Sequence, residues 1–195
     1  MKLLLSYHKV GNDSWRAMPK LLAESGLTTC LVVRSPEDGE DFEEFAKNAL
    51  PNFSIPDYWS RYSISLAALE EYQKLQLSSG FSETLNRLNT MQNRRDFTGT
   101  FRQLERELRV RRLFLVVLTV LLREKPEAAV FDVTPHDHVN FALLAVLEWL
   151  KIPALFFQPS LVGPQSLPRT SLTDDFSYTI PDEIRLEYNG ELSEV

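Results

Sequence analysis

The stretch Val130 to Phe141, VFDVTPHDHVNF, holds Asp132, His136, Asp137 and His138 within seven residues. The remaining histidine of the chain, His8, follows the apolar opening KLLLSY. One chemistry these residues could do is proton transfer. A histidine with a pKa of about 6.5 accepts a proton from a hydroxyl at neutral pH, and a carboxylate on its other ring nitrogen supports the cation that forms. On that reading His8 is a general base, and Asp132 or Asp137 orients it. Three histidines and an aspartate are also metal-ligand types, and His136 and His138, one residue apart, would suit an extended ligating loop. No partner motif joins them, so no metal site is assigned. A structural reading stands beside both. Thr134-Pro135-His136-Asp137 before an apolar run has the composition of a helix start, with Asp137 as the cap and the histidines bonded to backbone carbonyls. Capping and catalysis are compatible.

These residues are brought together only by the elements between them. Leu3–Tyr7 reads as a first strand and HKVGND as the loop after it. Asn12, Asp13 and Ser14 are candidate caps for a helix from about Trp15 to Glu24, which Gly26 stops. TTCLVVR, Thr28–Arg34, is β-branched and apolar, a second strand. Ser35-Pro36-Glu37 opens an acidic helix reaching about Asn48. From Leu50 to Gly99 the pattern is irregular: PNFSIPDYWSRYS reads as a loop, and helices are expected at about Ser65–Gln76 and Ser82–Asn93. A longer helix runs from about Thr98 to Glu124 and ends on REKP, with basic residues in its last turn and a proline beyond. Ala128–Val133 is a third strand, buried on both faces as in a parallel sheet. Val139–Leu150 is an apolar helix, and IPALFFQP is a fourth strand. SLVGPQSLPRTSL reads as loop, FSYTI as a weak strand.

Strand–helix alternation with short turns predicts an α/β fold: a doubly wound, mainly parallel, Rossmann-like sheet with helices on both faces. The expected organisation is one domain over residues 1–180 and a polar tail or linker over 181–195. Right-handed crossovers line up the carboxyl ends of the strands on one edge, where open α/β sheets bind ligands. His8, the 132–138 loop, Gln158 and Ser160 all fall on that edge.

Composition narrows the chemistry. The 195 residues carry 27 acidic against 21 basic side chains, a net charge of −6, which disfavours nucleic acid as a partner. Cys30 is the sole cysteine, so a reducing, cytoplasmic setting is expected. The opening MKLLLSYHKVGND is too short in its apolar part for a signal peptide. The ten-residue run Leu113–Leu122 falls short of the roughly 20 residues a membrane span needs. The first loop has a single glycine, Gly11, and lacks the dinucleotide fingerprint; no phosphate-binding P-loop and no nucleophile elbow occur. No cofactor is expected for the chain itself. The segment Arg94–Arg112 is basic within an acidic chain. It reads either as a solvated helix face with pairs such as Glu107 and Arg111, or as a peripheral contact with an anionic membrane.

The strand, the loop reaching His8, the helix, the second strand and then VFDVTPHDHVNFALLAVLEWLKIPALFFQPS together resemble the N-terminal half of a GT-B type glycosyltransferase. The likeness spans Met1 to Ser160 in pattern and Val130 to Ser160 in detail, with Leu150-Lys151-Ile152-Pro153 standing where the family has its turn before a strand. The resemblance implies an acceptor-binding half of a sugar transferase, acting in polysaccharide biosynthesis. The nucleotide-sugar donor would be held by a separate domain or subunit, and a sugar or glycan would be the acceptor. It implies His8 as base, with Asp132 or Asp137 its positional partners. Lys9, Gly11, Asn12, Thr134, His136, His138, Gln158 and Ser160 would then shape the acceptor site. The departures are the missing donor half and a first loop reduced to Gly11. Two other readings remain: a non-catalytic α/β ligand- or protein-binding domain, and a metal-dependent hydrolase.

Overall fold

The computed structural model describes residues 1–7, 13–34, 52–54, 63–95, 102–135, 137–159 and 166–170. Its elements in chain order are β1 (Lys2–Tyr7), α1 (Asp13–Glu24), β2 (Thr28–Arg34), β3 (Asn52–Ser54), α2 (Leu66–Gln76), α3 (Phe81–Arg95), α4 (Gln103–Glu124), β4 (Ala128–Phe131), α5 (His138–Trp149), β5 (Ala154–Pro159) and β6 (Ser166–Arg169). The strands form one sheet in the order β3-β2-β1-β4-β5-β6. All neighbours are parallel except β5 and β6. The fold is therefore α/β with a mostly parallel sheet.

The apolar strand runs form as the sequence predicts, because a strand buried on both faces needs no alternation. Leu4 joins Ala129, Phe131 and Phe156 in the core under α4 and α5. Leu3 and Leu5, which alternate to the other side of β1, are equally buried. The β1–β2 register shifts between Leu3 and Leu4, leaving Cys30 without a Cα partner on β1. Two strands depart from expectation. β3 lies inside the stretch read as loop, three residues long and paired through Val32↔Asn52 to Arg34↔Ser54. β6 falls in SLVGPQSLPRTSL, and its Pro168 is accommodated because β6 is a sheet edge, where a missing N–H breaks no second ladder. The third predicted strand is shorter than expected: β4 stops at Phe131, and Asp132 and Val133 already bend into the loop. The expected helix after Ser35 and the expected strand FSYTI lie outside the described residues, as does the tail 181–195.

Helix ends follow local chemistry. Gly26, at φ +74°, closes α1 with Leu27 N–H reaching Leu22 O at 2.9 Å and Gly26 N–H reaching Ala23 O at 3.0 Å, the double-bonded left-handed cap that glycine favours. Ser65 caps α2 by accepting from Ala68 N–H at 3.1 Å, while its own N–H donates to Thr119 Oγ1 on α4 at 3.2 Å. The long helix begins at Gln103 rather than near Thr98. Glu105 reaches back to Arg102 N–H at 2.8 Å, satisfying one donor of the first turn. α5 ends with Lys151 at φ 60° and Ile152 N–H on Leu147 O at 2.9 Å. This is the same cap as at Gly26 with a lysine in the left-handed position, which costs on the order of 1 kcal/mol.

The core is continuous from sheet to helices. The half of α4 from Leu113 to Leu121 is buried at every position but Leu115. Tyr72, Phe81 and Phe114 meet with ring centroids 5.4–6.1 Å apart where α2, α3 and α4 converge. Each fully buried Leu or Phe contributes roughly 1.5–3 kcal/mol of transfer free energy, so the ten-residue apolar run is explained as core. Among the described residues no helix is long and apolar enough to cross a membrane.

Candidate functional site

β1 has β2 on one side and β4 on the other. The chain thus winds outward in one direction through β2 and β3, and in the other through β4 and β5. In open α/β sheets ligands bind outside the carboxyl ends of the strands at such a reversal. Here the two central strands end at Tyr7 and Phe131. Asp132 N–H donates to Ser6 O at 3.0 Å, so the second loop starts hydrogen-bonded to the end of β1.

The crossing is also tied together by side chains. Ser6 Oγ donates to Asn140 Oδ1 at 2.6 Å. Asn140 Nδ2 donates to Asp137 Oδ2 at 2.6 Å. Asp137 Oδ1 accepts from Val139 N–H at 2.9 Å and Asn140 N–H at 3.0 Å. All three side chains are buried, at 1%, 4% and 6% exposure. Buried polar groups cost several kcal/mol if left unmatched, so this chain fixes its own orientation: the amide of Asn140 must turn its oxygen to the serine and its nitrogen to the carboxylate. The Asp137 carboxylate sits at the start of α5, where the free N–H groups and the helix dipole favour negative charge.

The predicted site residues separate into those the structure describes and those it does not. Asp132 is half-buried at the start of the loop, Thr134 half-buried within it, and His138 half-buried as the first residue of α5. Asp137 is the N-cap, as its structural reading predicts. Gln158 lies on β5 in register with Leu167 of β6. His8, Lys9, Gly11, Asn12, His136 and Ser160 lie outside the described residues, and with them the geometry between His8 and either aspartate. No group of three metal-ligating side chains occurs among the described residues.

Two members of the crossing escaped the sequence reading: Ser6 and Asn140. Their signal was present, since each is a polar residue inside an otherwise apolar element, but it points nowhere until the partner 134 residues away is known. The basic segment also differs from expectation. Glu107 does not pair with Arg111 among the described residues; it accepts from Gln103 Nε2 at 3.1 Å. Burial raises the pKa of the Tyr72 hydroxyl, an effect that the positive charge of Arg111 partly offsets.

No family model matches the chain, and no curated protein does. Among solved structures, one described as a CDPS from Fluoribacter dumoffii aligns over 75% of this chain and 83% of its own, at a TM-score of 0.38 and 13% identity.

Proposed function

We propose that this chain is the acceptor-binding half of a GT-B-like glycosyltransferase, built on a doubly wound, Rossmann-like sheet. The observation that carries the reading is the buried Ser6–Asn140–Asp137 chain at the β1/β4 crossing. It ties the end of β1, two residues before His8 in sequence, to the loop and helix start that hold Asp132 and Asp137. The strand order, reversing at β1, supports the same assignment. In the proposed reaction His8 removes the acceptor hydroxyl proton as that oxygen bonds to the anomeric carbon. The nucleoside diphosphate departs with the electron pair of the broken bond. Asp132 or Asp137 supports the imidazolium, and the donor is held by a separate domain or subunit.

The test is reconstitution. The chain is co-expressed with each neighbouring reading frame, and nucleoside-diphosphate release is measured with panels of UDP- and GDP-sugars. Release is expected only when both chains are present, and His8→Ala should lower it by roughly 10²- to 10⁴-fold. Release that is indifferent to His8→Ala, or absent from every pairing, overturns the proposal.

One observation favours a second reading, a non-catalytic α/β binding domain. Both carboxylate oxygens of Asp137 are already engaged, one in capping α5 and the other with Asn140. If Asp132→Asn and Asp137→Asn both leave the reconstituted reaction intact, these carboxylates serve the fold alone.

A further inference from the structure

α4 is divided along its length. From Leu113 to Leu121 it is buried at every position but Leu115, whereas from Gln103 to Arg112 it buries Val110 alone. A connection of three residues takes the chain from Glu124 to the start of β4, so α4 runs opposite to the strand, with its C-terminal end at the amino edge of the sheet. Glu127 N–H, on Lys2 O at 2.8 Å, fixes that end beside the start of β1. The 22 residues of α4 span about 33 Å, and the six of β1 about 20 Å. The excess length falls on the little-buried half, which is directed toward the carboxyl edge.

That half has its own composition. Residues 102–112 hold five arginines against two glutamates, in a chain of net charge −6. Both glutamates are engaged locally, Glu105 by Arg102 N–H and Glu107 by Gln103 Nε2. Leu104, Leu108 and Arg111, spaced four and three apart, share one stripe. All three are exposed, the leucines at 66% and 50%, and Arg112, four residues beyond Leu108, borders them. The basic excess decides which partner fits. A nucleic acid would reward the arginines and leave the leucines in water, while a neutral apolar surface would do the reverse. An anionic lipid surface rewards both. Its headgroups attract the guanidinium groups, and leucines enter the acyl boundary while arginines keep their charged ends at the headgroups.

We infer that the N-terminal half of α4 docks this chain on an anionic lipid surface. Leu104 and Leu108 enter the surface, and Arg102, Arg111 and Arg112 lie at the level of the headgroups. The inference is independent of the sugar-transfer reading, since binding to a vesicle needs neither a donor nor a second chain.

Co-sedimentation with vesicles tests it, using phosphatidylcholine alone and phosphatidylcholine with roughly 30% phosphatidylglycerol, a strongly anionic surface. The chain should partition onto the anionic vesicles at least tenfold more strongly than onto the neutral ones, and raising the salt from about 0.05 to 0.5 M should release it. Arg102→Gln and Arg111→Gln should each weaken partition by about fivefold. The double substitution Leu104→Ser and Leu108→Ser should weaken it at least tenfold, with the far-UV circular dichroism unchanged. Should a variant perturb folding, the lipid and salt dependence of the parent chain still decides the matter. No partition onto anionic vesicles overturns the inference. So does equal partition onto neutral ones, partition indifferent to all four substitutions, or retention by an RNA column from a chain that leaves the vesicles unbound.

Discussion

At the β1/β4 crossing three polar side chains are buried and each is matched to a named partner. On the α2–α4 face five leucines are exposed, and charged residues such as Glu107 and Arg111 lie beside them. The first arrangement tolerates no slack. A hydroxyl, an amide and a carboxylate taken out of water must meet one another in a single orientation, or each loses its hydration for nothing. The second tolerates much. An exposed leucine gives up little when it is replaced, so it contributes little to the stability of the chain itself. Exposed apolar groups are common on protein surfaces, whereas buried polar ones are the informative departure, and here they point to internal positioning.

The comparison breaks most readily at Asn140. Asn140→Leu keeps the volume of the side chain but strands the Ser6 hydroxyl and Asp137 Oδ2, and should cost about 3 kcal/mol in urea unfolding. Ser6→Ala should cost less, about 1 kcal/mol. The two combined should cost less than their sum, since they share one bond; strict additivity would show that the crossing is not a coupled unit. A smaller effect is expected where the two regions touch. Glu71 of α2 accepts from Lys74 and, at 3.2 Å, from Trp149 Nε1 of α5. The Lys74 bond, followed by that of Trp149, lowers its pKa from the ordinary 4.5. A carboxylate depressed in the folded state stabilises above its unfolded pKa and loses that contribution as pH falls through the folded value. Glu71→Gln should therefore lower the melting temperature at neutral pH and converge with the parent as pH falls below 4.5. A difference that grows on acidification would refute the assignment. Least of all should happen with Leu104→Ala, whose effect on unfolding of the isolated chain should stay within about 0.5 kcal/mol; a larger loss would mean that Leu104 packs internally.

Much of the sheet was legible because its central strands are continuous apolar runs bounded by turn residues. LLLSY, TTCLVVR, AAVF and ALFFQP needed no tertiary information. NFS and SLPR did, being short and flanked or interrupted by proline; only the free edges of neighbouring strands make them β3 and β6. Asp137 could be read as a cap because capping is local, governed by the three residues that follow. Ser6 and Asn140 could not, since the bond that explains both spans 134 positions. The αL lysine at position 151 was likewise hidden, because the sequence offers glycine as the signal for that conformation and the chain uses none there. Local chemistry is written locally, whereas the crossing exists only once the strand order is set.

Cys30 carries a practical consequence. It is the one thiol of the chain, it is buried, and burial followed by the nearby Glu124 carboxylate raises its pKa. A thiol that resists ionisation reacts slowly with maleimides and disulfide reagents. The native protein thus supplies a silent background for site-directed labelling. A single cysteine introduced at an exposed position can carry a fluorophore or spin label without first removing the natural one, so distances from that position become measurable in otherwise unaltered protein.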